Sequence, residues 1–191
     1  MILKLSMSTL GVLLLAVAAK PAHAEWVNRI TDGIMGTRIT VELWSEDRPK
    51  AEAAIDAVLD EMRHIDESMS TYKPTSEVSL VNAKAADGPM HISKELFDLL
   101  VKAKEYSVLT DGAFDITYAS VGYMYNFPKH IKPSEAQIAT ALPAVDYHHL
   151  ILEPKNQTVQ FSQKGVRIDL GGMVGSALVI MQWRASARKT R

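Results

Sequence analysis

The sequence has 191 residues, with 21 Lys and Arg against 22 Asp and Glu, a net charge of −1, and no cysteine. The balanced charge excludes a basic field across the chain that would bind nucleic acid, so we expect no nucleic-acid partner. The lack of cysteine excludes disulfides, thiol catalysis, thiolate metal sites and, because no lipobox cysteine follows the first apolar run, a lipid-anchored lipoprotein.

Residues 1–24 have the pattern of a secretory signal peptide. Lys4 supplies a positive charge, Leu5 to Ala19 form a largely apolar stretch, and Ala22-His23-Ala24 is a small-x-small cleavage site. The stretch is shorter than the roughly 20 apolar residues of a membrane span, although an uncleaved anchor is the alternative. We therefore expect export to a periplasmic compartment, with 25–191 as the mature region.

Two strongly patterned segments follow the leader. Arg38 to Trp44 alternates polar and apolar residues, which predicts a half-buried strand. From Pro49 to Met69, apolar residues recur every three or four positions and predict an amphipathic helix with one stripe packed on a core. The stretch Ser70 to Gly88 is polar and predicts a loop.

Two further helices are predicted from their capping residues. The first begins after Ser93 as the N-cap and ends near Thr110-Asp111-Gly112. The second, shorter helix is marked by Ser134 and Gln137 as a capping-box pair, with Pro143 beyond its end.

The last patterned region is rich in predicted strands. His149 to Phe161 contains two short apolar runs around a Pro-Lys-Asn-Gln turn and predicts a hairpin. Gly165 to Asp169 predicts one more strand. The order of elements favours an α+β fold, with an antiparallel sheet and flanking helices.

Three clusters of small residues are candidates for chemistry: Met35-Gly36-Thr37, Thr110 to Thr117, and Asp169 to Gly172. Glycine lets a ligand approach the main chain, and exposed amides with a few oxygens suit a phosphorylated ligand and a hard cation such as Mg²⁺. Each cluster also has a plainer interpretation, since Asp111-Gly112 is typical of a turn and Asp169 before two glycines of a strand-ending turn. Spacing alone therefore names no function.

Taken in order, these clusters resemble the motifs of the FAD:protein FMN transferase (ApbE-like) family. The match covers about residues 28–173. It depends on the Asp-Gly-Ala-Phe-Asp and Asp-Leu-Gly-Gly elements occurring together, and it implies the N-terminal portion of an ApbE-like fold. The matching elements are Met35-Gly36-Thr37, Ser70-Thr71-Tyr72, Ser76-Glu77-Val78-Ser79, Asn82, Thr110 to Thr117, Leu142-Pro143, Val145, Tyr147 and Ile168 to Gly172.

The resemblance implies a transfer of the FMN half of FAD to a threonine or serine hydroxyl of an acceptor protein, with release of AMP. FAD is the flavin donor, Mg²⁺ neutralises the phosphates, and the acceptor protein is the partner, which brings the chain near the membrane if the acceptor lies there. The resemblance assigns the carbonyl of Gly172 to the metal and leaves the catalytic residue unknown. The implied FAD contacts are Met35, Tyr72, Ala113, Phe114, Asp115 and Asp169.

The aromatic and acidic residues of this set have defined roles under the resemblance. Tyr72 and Phe114 offer ring faces to a flavin or adenine, although ordinary packing is the alternative. Asp115 and Asp169 can accept hydrogen bonds from amino or hydroxyl groups of the ligand.

Residues 174–191 depart from the family pattern. Gly175 stands where the family has a lysine that can reach the ligand phosphates as a point charge, and the family's further half-domain, with more metal-binding positions, does not follow. We therefore expect a C-terminal truncation or frameshift, with an evolved basic tail as the alternative. The basic residues near the end are Arg184, Arg188, Lys189 and Arg191.

This departure leads us to expect little or no transferase activity. Two other functions stay open: an FAD-binding protein without transfer activity, and a non-functional remnant. A remnant would follow from exposed apolar surface, since the marginal stability of about 5–15 kcal/mol leaves little reserve.

Overall fold

The computed structural model describes residues 23–173. The predicted signal peptide, except for its last two residues, and the segment 174–191 lie outside the described residues. No helix within 23–173 is long and apolar enough to cross a membrane. The helices and strands are β1 (Glu25–Ile34), β2 (Thr37–Ser45), α1 (Arg48–Met69), α2 (Glu77–Lys84), β3 (Met90–His91), α3 (Lys94–Leu109), α4 (Ala119–Gly122), α5 (Glu135–Ala141), β4 (Leu150–Glu153) and β5 (Thr158–Phe161).

The described part of the chain begins with a long antiparallel hairpin of β1 and β2, paired from Glu25 opposite Ser45, with a register shift between Asp32 and Ile34. The turn contains Met35 and Gly36, both in the left-handed region, with φ of 52° and 67°. Glycine adopts this conformation freely, whereas Met35 adopts it at a cost. The predicted strand is confirmed as β2. The sequence-based prediction missed β1, whose outward positions combine large apolar with polar residues.

Helix α1 confirms the predicted amphipathic helix. Asp47 is its N-cap, and the carboxylate accepts a hydrogen bond from the Lys50 backbone N–H at 3.0 Å. The N-terminal half of the buried stripe packs on the hairpin, and the C-terminal half packs on a second, larger cluster. The buried residues of the stripe are Ala51, Ile55, Leu59, Ile65, Asp66 and Met69.

The predicted loop from Ser70 to Gly88 is wrong in its second half, where α2 forms. Ser76 is the N-cap of this helix, and its hydroxyl accepts from the Ser79 backbone N–H at 3.0 Å. Val78 and Val81 are fully buried. Two apolar residues three positions apart are a weak periodic signal, so the cap and the tertiary packing determine the helix.

The larger cluster is enclosed by α2, α3 and a three-stranded antiparallel sheet in the order β3-β5-β4. Helix α3 begins at its predicted N-cap, Ser93, and ends before Thr110. The capping box of Ser134 and Gln137 also forms, at the start of α5. The hairpin of β4 and β5 and the α+β class with antiparallel sheets and flanking helices are confirmed.

The predicted strand from Gly165 to Asp169 is wrong, because this extended segment does not join either sheet. Side chains bind its main chain instead. The Asn82 amide donates to the Ile168 carbonyl at 2.9 Å and accepts from the Ile168 N–H at 2.7 Å. The hydroxyl of Ser120 accepts from the Arg167 N–H at 2.9 Å. These contacts replace the ladder that a strand would need.

Candidate functional site

A cavity of about 670 Å³ opens where the β1–β2 turn, the end of α1 and the segment after β5 come together. Its wall combines apolar side chains and hydroxyl groups with two carboxylates and one ammonium. This mixture suits a ligand that has both an aromatic ring and charged groups. The lining residues are Gly33, Met35, Gly36, Ile65, Asp66, Met69, Ser70, Thr71, Tyr72, Lys73, Pro128, Asp169 and Gly171.

Asp169 contributes a carboxylate whose direction is fixed by its neighbours. Its Oδ1 accepts from the Gly171 backbone N–H at 2.7 Å, and its Oδ2 accepts from the Thr71 hydroxyl at 3.2 Å. A Cβ on Gly171 would lie 3.0 Å from Oδ1, so a larger residue at this position would push the Asp169 carboxylate by a few tenths of an ångström. A carboxylate has about four lone-pair sites, and two remain for a ligand.

The backbone at Asp169 is anchored to the preceding motif. Its N–H donates to the Ile116 carbonyl at 3.1 Å. Ile116 begins a short 3₁₀ turn, Ile116–Tyr118, that is capped by Asp115. The two motifs that carried the resemblance are therefore physically joined.

Met35 and Tyr72 complete the apolar part of the cavity wall. Met35 is half-buried and packs against both hydrophobic clusters. The Tyr72 side chain is almost free of contacts, with 95% of its surface exposed. A tyrosine held at a cavity mouth with its ring faces uncovered suits stacking on a flat aromatic ligand.

The other three predicted FAD contacts do not line this cavity. Phe114 is partly buried and meets the Tyr106 ring edge-on, with 6.2 Å between centroids. Asp115 accepts from both the backbone N–H and the hydroxyl of Thr117, at 2.7 and 2.6 Å. Ala113 is exposed. In the described structure, Asp115 caps the turn whose Ile116 carbonyl binds the Asp169 N–H, and Phe114 packs on the larger cluster.

Tyr118 is a further aromatic residue beside the cavity that the sequence-based predictions missed. Burial raises the pKa of its phenol, and the nearby charges of Asp169 and Tyr72 raise that pKa further. Its ring lies against Gly122, where a Cβ would come within 3.1 Å of it. Tyr118 therefore keeps its proton at neutral pH.

Asp66 and Lys73 are two more lining residues that the predictions missed. The Lys73 ammonium lies 2.7 Å from the Asp66 carboxylate. A signal for Asp66 was present, because it follows Met62 by four positions and precedes Met69 by three. An acidic residue on the buried stripe of an amphipathic helix indicates a paired or functional carboxylate.

The predicted metal position, Gly172, is exposed and lies next to the cavity residue Gly171. Within residues 23–173, there is no group of three or more His, Asp or Glu side chains that could hold a metal ion. Asp169 and the Thr71 hydroxyl are the hard oxygen donors at this point of the wall. Such a set fits Mg²⁺, which keeps several waters and commonly takes one or two carboxylates together with substrate phosphates.

The sequence of this chain is similar to a described protein family over most of its length. The sequence model of the ApbE family matches residues 35–179. A protein of Chlamydia trachomatis named FAD:protein FMN transferase is 27% identical over 141 residues, which are 73% of this chain and 44% of that protein. A protein of the same name from Klebsiella pneumoniae is 26% identical over 142 residues, again 73% and 44%.

Solved structures are similar to the fold. The ApbE protein of Thermotoga maritima matches with a TM-score of 0.70 and 27% identity, over 81% of this chain and 50% of that one. The apo flavinyl transferase ApbE of Pseudomonas stutzeri matches with a TM-score of 0.70 at 23% identity, which supports the fold alone. The chain spans less than half the length of the curated relatives named above and half of the Thermotoga structure.

Proposed function

This chain belongs to the ApbE family, and from that membership we propose that it binds FAD and transfers the FMN half to a threonine or serine hydroxyl of an acceptor protein. AMP is the leaving group. The observation that carries the proposal is the meeting of Met35, Tyr72 and Asp169 in one cavity. These residues come from three motifs that are distant in sequence.

The size and chemistry of the cavity support a nucleotide ligand. Its volume of about 670 Å³ lies within the usual range for small-molecule sites. Tyr72 offers an uncovered ring for stacking, and Asp169 offers acceptor sites for amino or hydroxyl groups of the ligand. Thr71 fixes the Asp169 carboxylate through its hydroxyl.

We propose Mg²⁺ as the ion that neutralises the FAD phosphates. The carboxylate of Asp169 would be one ligand of this ion. The Gly172 carbonyl, the other proposed ligand, belongs to the residue that follows Gly171 of the cavity wall. When bound, the ion stabilises the charge that develops on the transferring phosphoryl group. The residues of this chain bind and orient the donor so that an acceptor hydroxyl can approach in line.

A second candidate function is FAD binding without transfer. It is favoured by the cavity wall, where Tyr72 offers a ring for stacking and Asp169 offers hydrogen-bond acceptors. Binding requires the stacking and hydrogen-bonding groups alone, whereas transfer also requires the phosphates to be neutralised.

FAD binding tests both candidates. We expect the purified full chain to quench or shift FAD fluorescence saturably in the presence of Mg²⁺. Asp169→Ala should weaken the affinity by about tenfold or more, since each lost charge-assisted hydrogen bond is worth roughly 1.5–3 kcal/mol. Asp146→Ala is a matched control, because Asp146 caps a 3₁₀ turn whose residues do not line the cavity. No saturable response in the wild-type chain would contradict both functions.

A transfer assay separates the two candidates. The chain is mixed with FAD, Mg²⁺ and an acceptor protein, and flavin fluorescence of the acceptor is read in a denaturing gel. A fluorescent acceptor band that disappears when its acceptor hydroxyl is removed supports transfer. Saturable FAD binding without such a band supports the binding function, and with it the low activity expected from Gly175 at the lysine position of the family.

We also propose that the chain is exported, from the leader pattern in residues 1–24. Cell fractionation with an epitope at the C-terminus tests this proposal. Recovery of a shortened form in the periplasmic fraction is expected, and recovery of the unshortened chain in the cytoplasm would contradict it.

A further inference from the structure

A carboxylate lines the cavity at a place where helix electrostatics disfavour it. Asp66 lies in the last turn of α1, and 9% of the residue is exposed. The C-terminal end of a helix carries a partial negative charge, so an acid there is unfavourable. A buried carboxylate also needs a cation or hydrogen-bond donors to offset its lost hydration.

Lys73 meets that need from the loop after α1. Its Nζ lies 2.7 Å from Asp66 Oδ2, and its side chain is 42% exposed against 10% for Asp66. The loop is itself anchored, because the Lys73 N–H donates to the Ser70 carbonyl and the Lys73 carbonyl accepts from the Ser76 N–H. The ammonium is therefore held between a buried acid and an open cavity.

The charged residues of the cavity wall indicate what kind of group this ammonium can bind. Asp66, Asp169 and Lys73 are the charged residues among the lining residues, so Lys73 is the cation of the wall within the described part of the chain. The contact to Asp66 uses one of the three N–H donors of the ammonium. A lysine with remaining donors at a cavity wall is a point charge suited to phosphate oxygens.

We propose that Lys73 contacts the phosphates of the bound dinucleotide and that Asp66 is the positioning residue that holds its ammonium toward them. The inference rests on the proposed function, because it requires a phosphorylated ligand in this cavity. An Asp66–Lys73 pair that has only a structural role predicts a different experimental result. If the pair only neutralises the end of α1, its removal changes stability without changing how salt affects ligand affinity.

The test uses the full chain with FAD and Mg²⁺, and compares dissociation constants at low and high sodium chloride. Lys73→Met alone leaves the buried Asp66 unpaired, so the main variant is the double change Asp66→Asn with Lys73→Met, which removes both charges. Lys73→Arg keeps the charge. Lys155→Met, in the exposed turn between β4 and β5, is the matched control.

At low salt, we expect the double variant to bind FAD about tenfold more weakly than wild type, the cost of one charge-assisted hydrogen bond. The difference should shrink at high salt, because screening weakens the wild-type contact. Lys73→Arg should retain most of the affinity, and Lys155→Met all of it.

Two results would overturn the inference while leaving the proposed function intact. One is wild-type affinity in the double variant, and the other is a loss of equal size at both salt concentrations. Failure of the wild-type chain to bind FAD would instead overturn the proposed function, and the inference with it.

Discussion

Two hydrophobic clusters meet at the cavity, and they differ in how completely they are enclosed. The larger cluster is surrounded by α2, α3 and the three-stranded sheet. The smaller cluster lies between the β1–β2 hairpin and the first half of α1. On its outer face the hairpin exposes more than half of each of three large apolar side chains, Trp26, Ile30 and Trp44.

This difference indicates that the two walls of the cavity have unequal local stability. Asp169 and the loop after α1 are fixed to the larger cluster, whereas Met35 lies in the turn of the hairpin, so its side chain packs against both clusters while its backbone belongs to the hairpin alone. A two-stranded hairpin depends on one packed face, because its backbone bonds alone are marginal. The Met35 wall should therefore open at a lower free energy than the Asp169 wall.

Leu100→Ala should have the largest effect on stability. Leu100 lies on α3 in the larger cluster and is fully buried. Its loss leaves a cavity that the surrounding elements cannot collapse into, so we expect the free energy of unfolding to fall by about 4 kcal/mol. Urea unfolding measures the change, and amide exchange should accelerate throughout residues 23–173.

Leu59→Ala is the matched comparison, since Leu59 is also a buried helical leucine, on α1 in the smaller cluster. We expect a smaller loss of about 3 kcal/mol, because the hairpin can relax toward the helix. Faster amide exchange should be confined to β1, β2 and the start of α1. Equal acceleration in α3 would show that the two clusters unfold as one unit.

The same contrast explains which elements the sequence predicted. α1 and α3 carry long apolar stripes and capping residues, so local periodicity was sufficient for both. α2 and the segment from Gly165 to Asp169 depend on contacts between residues far apart in sequence. The main chain near Asp169 is bound by Asn82, 86 positions away from Ile168, and no local pattern encodes that distance.

The candidate site follows the same rule. Motif resemblance predicted three site residues that the structure brings to one cavity: Met35, Tyr72 and Asp169. The sequence-based predictions missed Lys73, because its role depends on an ion pair with Asp66 across a loop. Phe114 and Asp115 do not line this cavity, and Asp115 caps the 3₁₀ turn whose Ile116 carbonyl binds the Asp169 N–H. Their contact with FAD stays a prediction.

Asn82→Ala tests how the Asp169 wall is held, because Asn82 binds the residue before Asp169 and does not itself line the cavity. The amide makes two hydrogen bonds to Ile168, and their loss leaves a part-buried N–H and carbonyl without these partners. We expect a destabilisation of about 2 kcal/mol and weaker FAD binding through the displaced Asp169. Urea unfolding and FAD titration measure the two effects.

Gln137→Ala is the control, because the Gln137 side chain caps the start of α5, whose residues do not line this cavity. It should leave FAD affinity unchanged. If Asn82→Ala also leaves FAD affinity unchanged, the position of Asp169 does not depend on the two hydrogen bonds between Asn82 and Ile168.

The smallest expected effect concerns His64, which links α1 to α3 through Glu95, with 3.0 Å between Nε2 and Oε2. The hydrogen bond to Glu95 raises the pKa of His64 above its ordinary value of 6.5. A raised pKa in the folded state means that the pair stabilises fully below 6.5 and that this contribution is lost as pH rises through the folded-state pKa.

Because the His64 side chain is 57% exposed, solvent screening limits its contribution to a few tenths of a kcal/mol. Urea midpoints of the wild type should therefore fall slightly as pH rises from mildly acidic to mildly alkaline values, and His64→Gln should remove that part of the slope. His91→Gln, at an exposed histidine on β3, should keep it. If His64→Gln keeps the wild-type slope, the His64–Glu95 pair does not couple α1 to α3, and the contact between these helices depends on the apolar packing of the larger cluster.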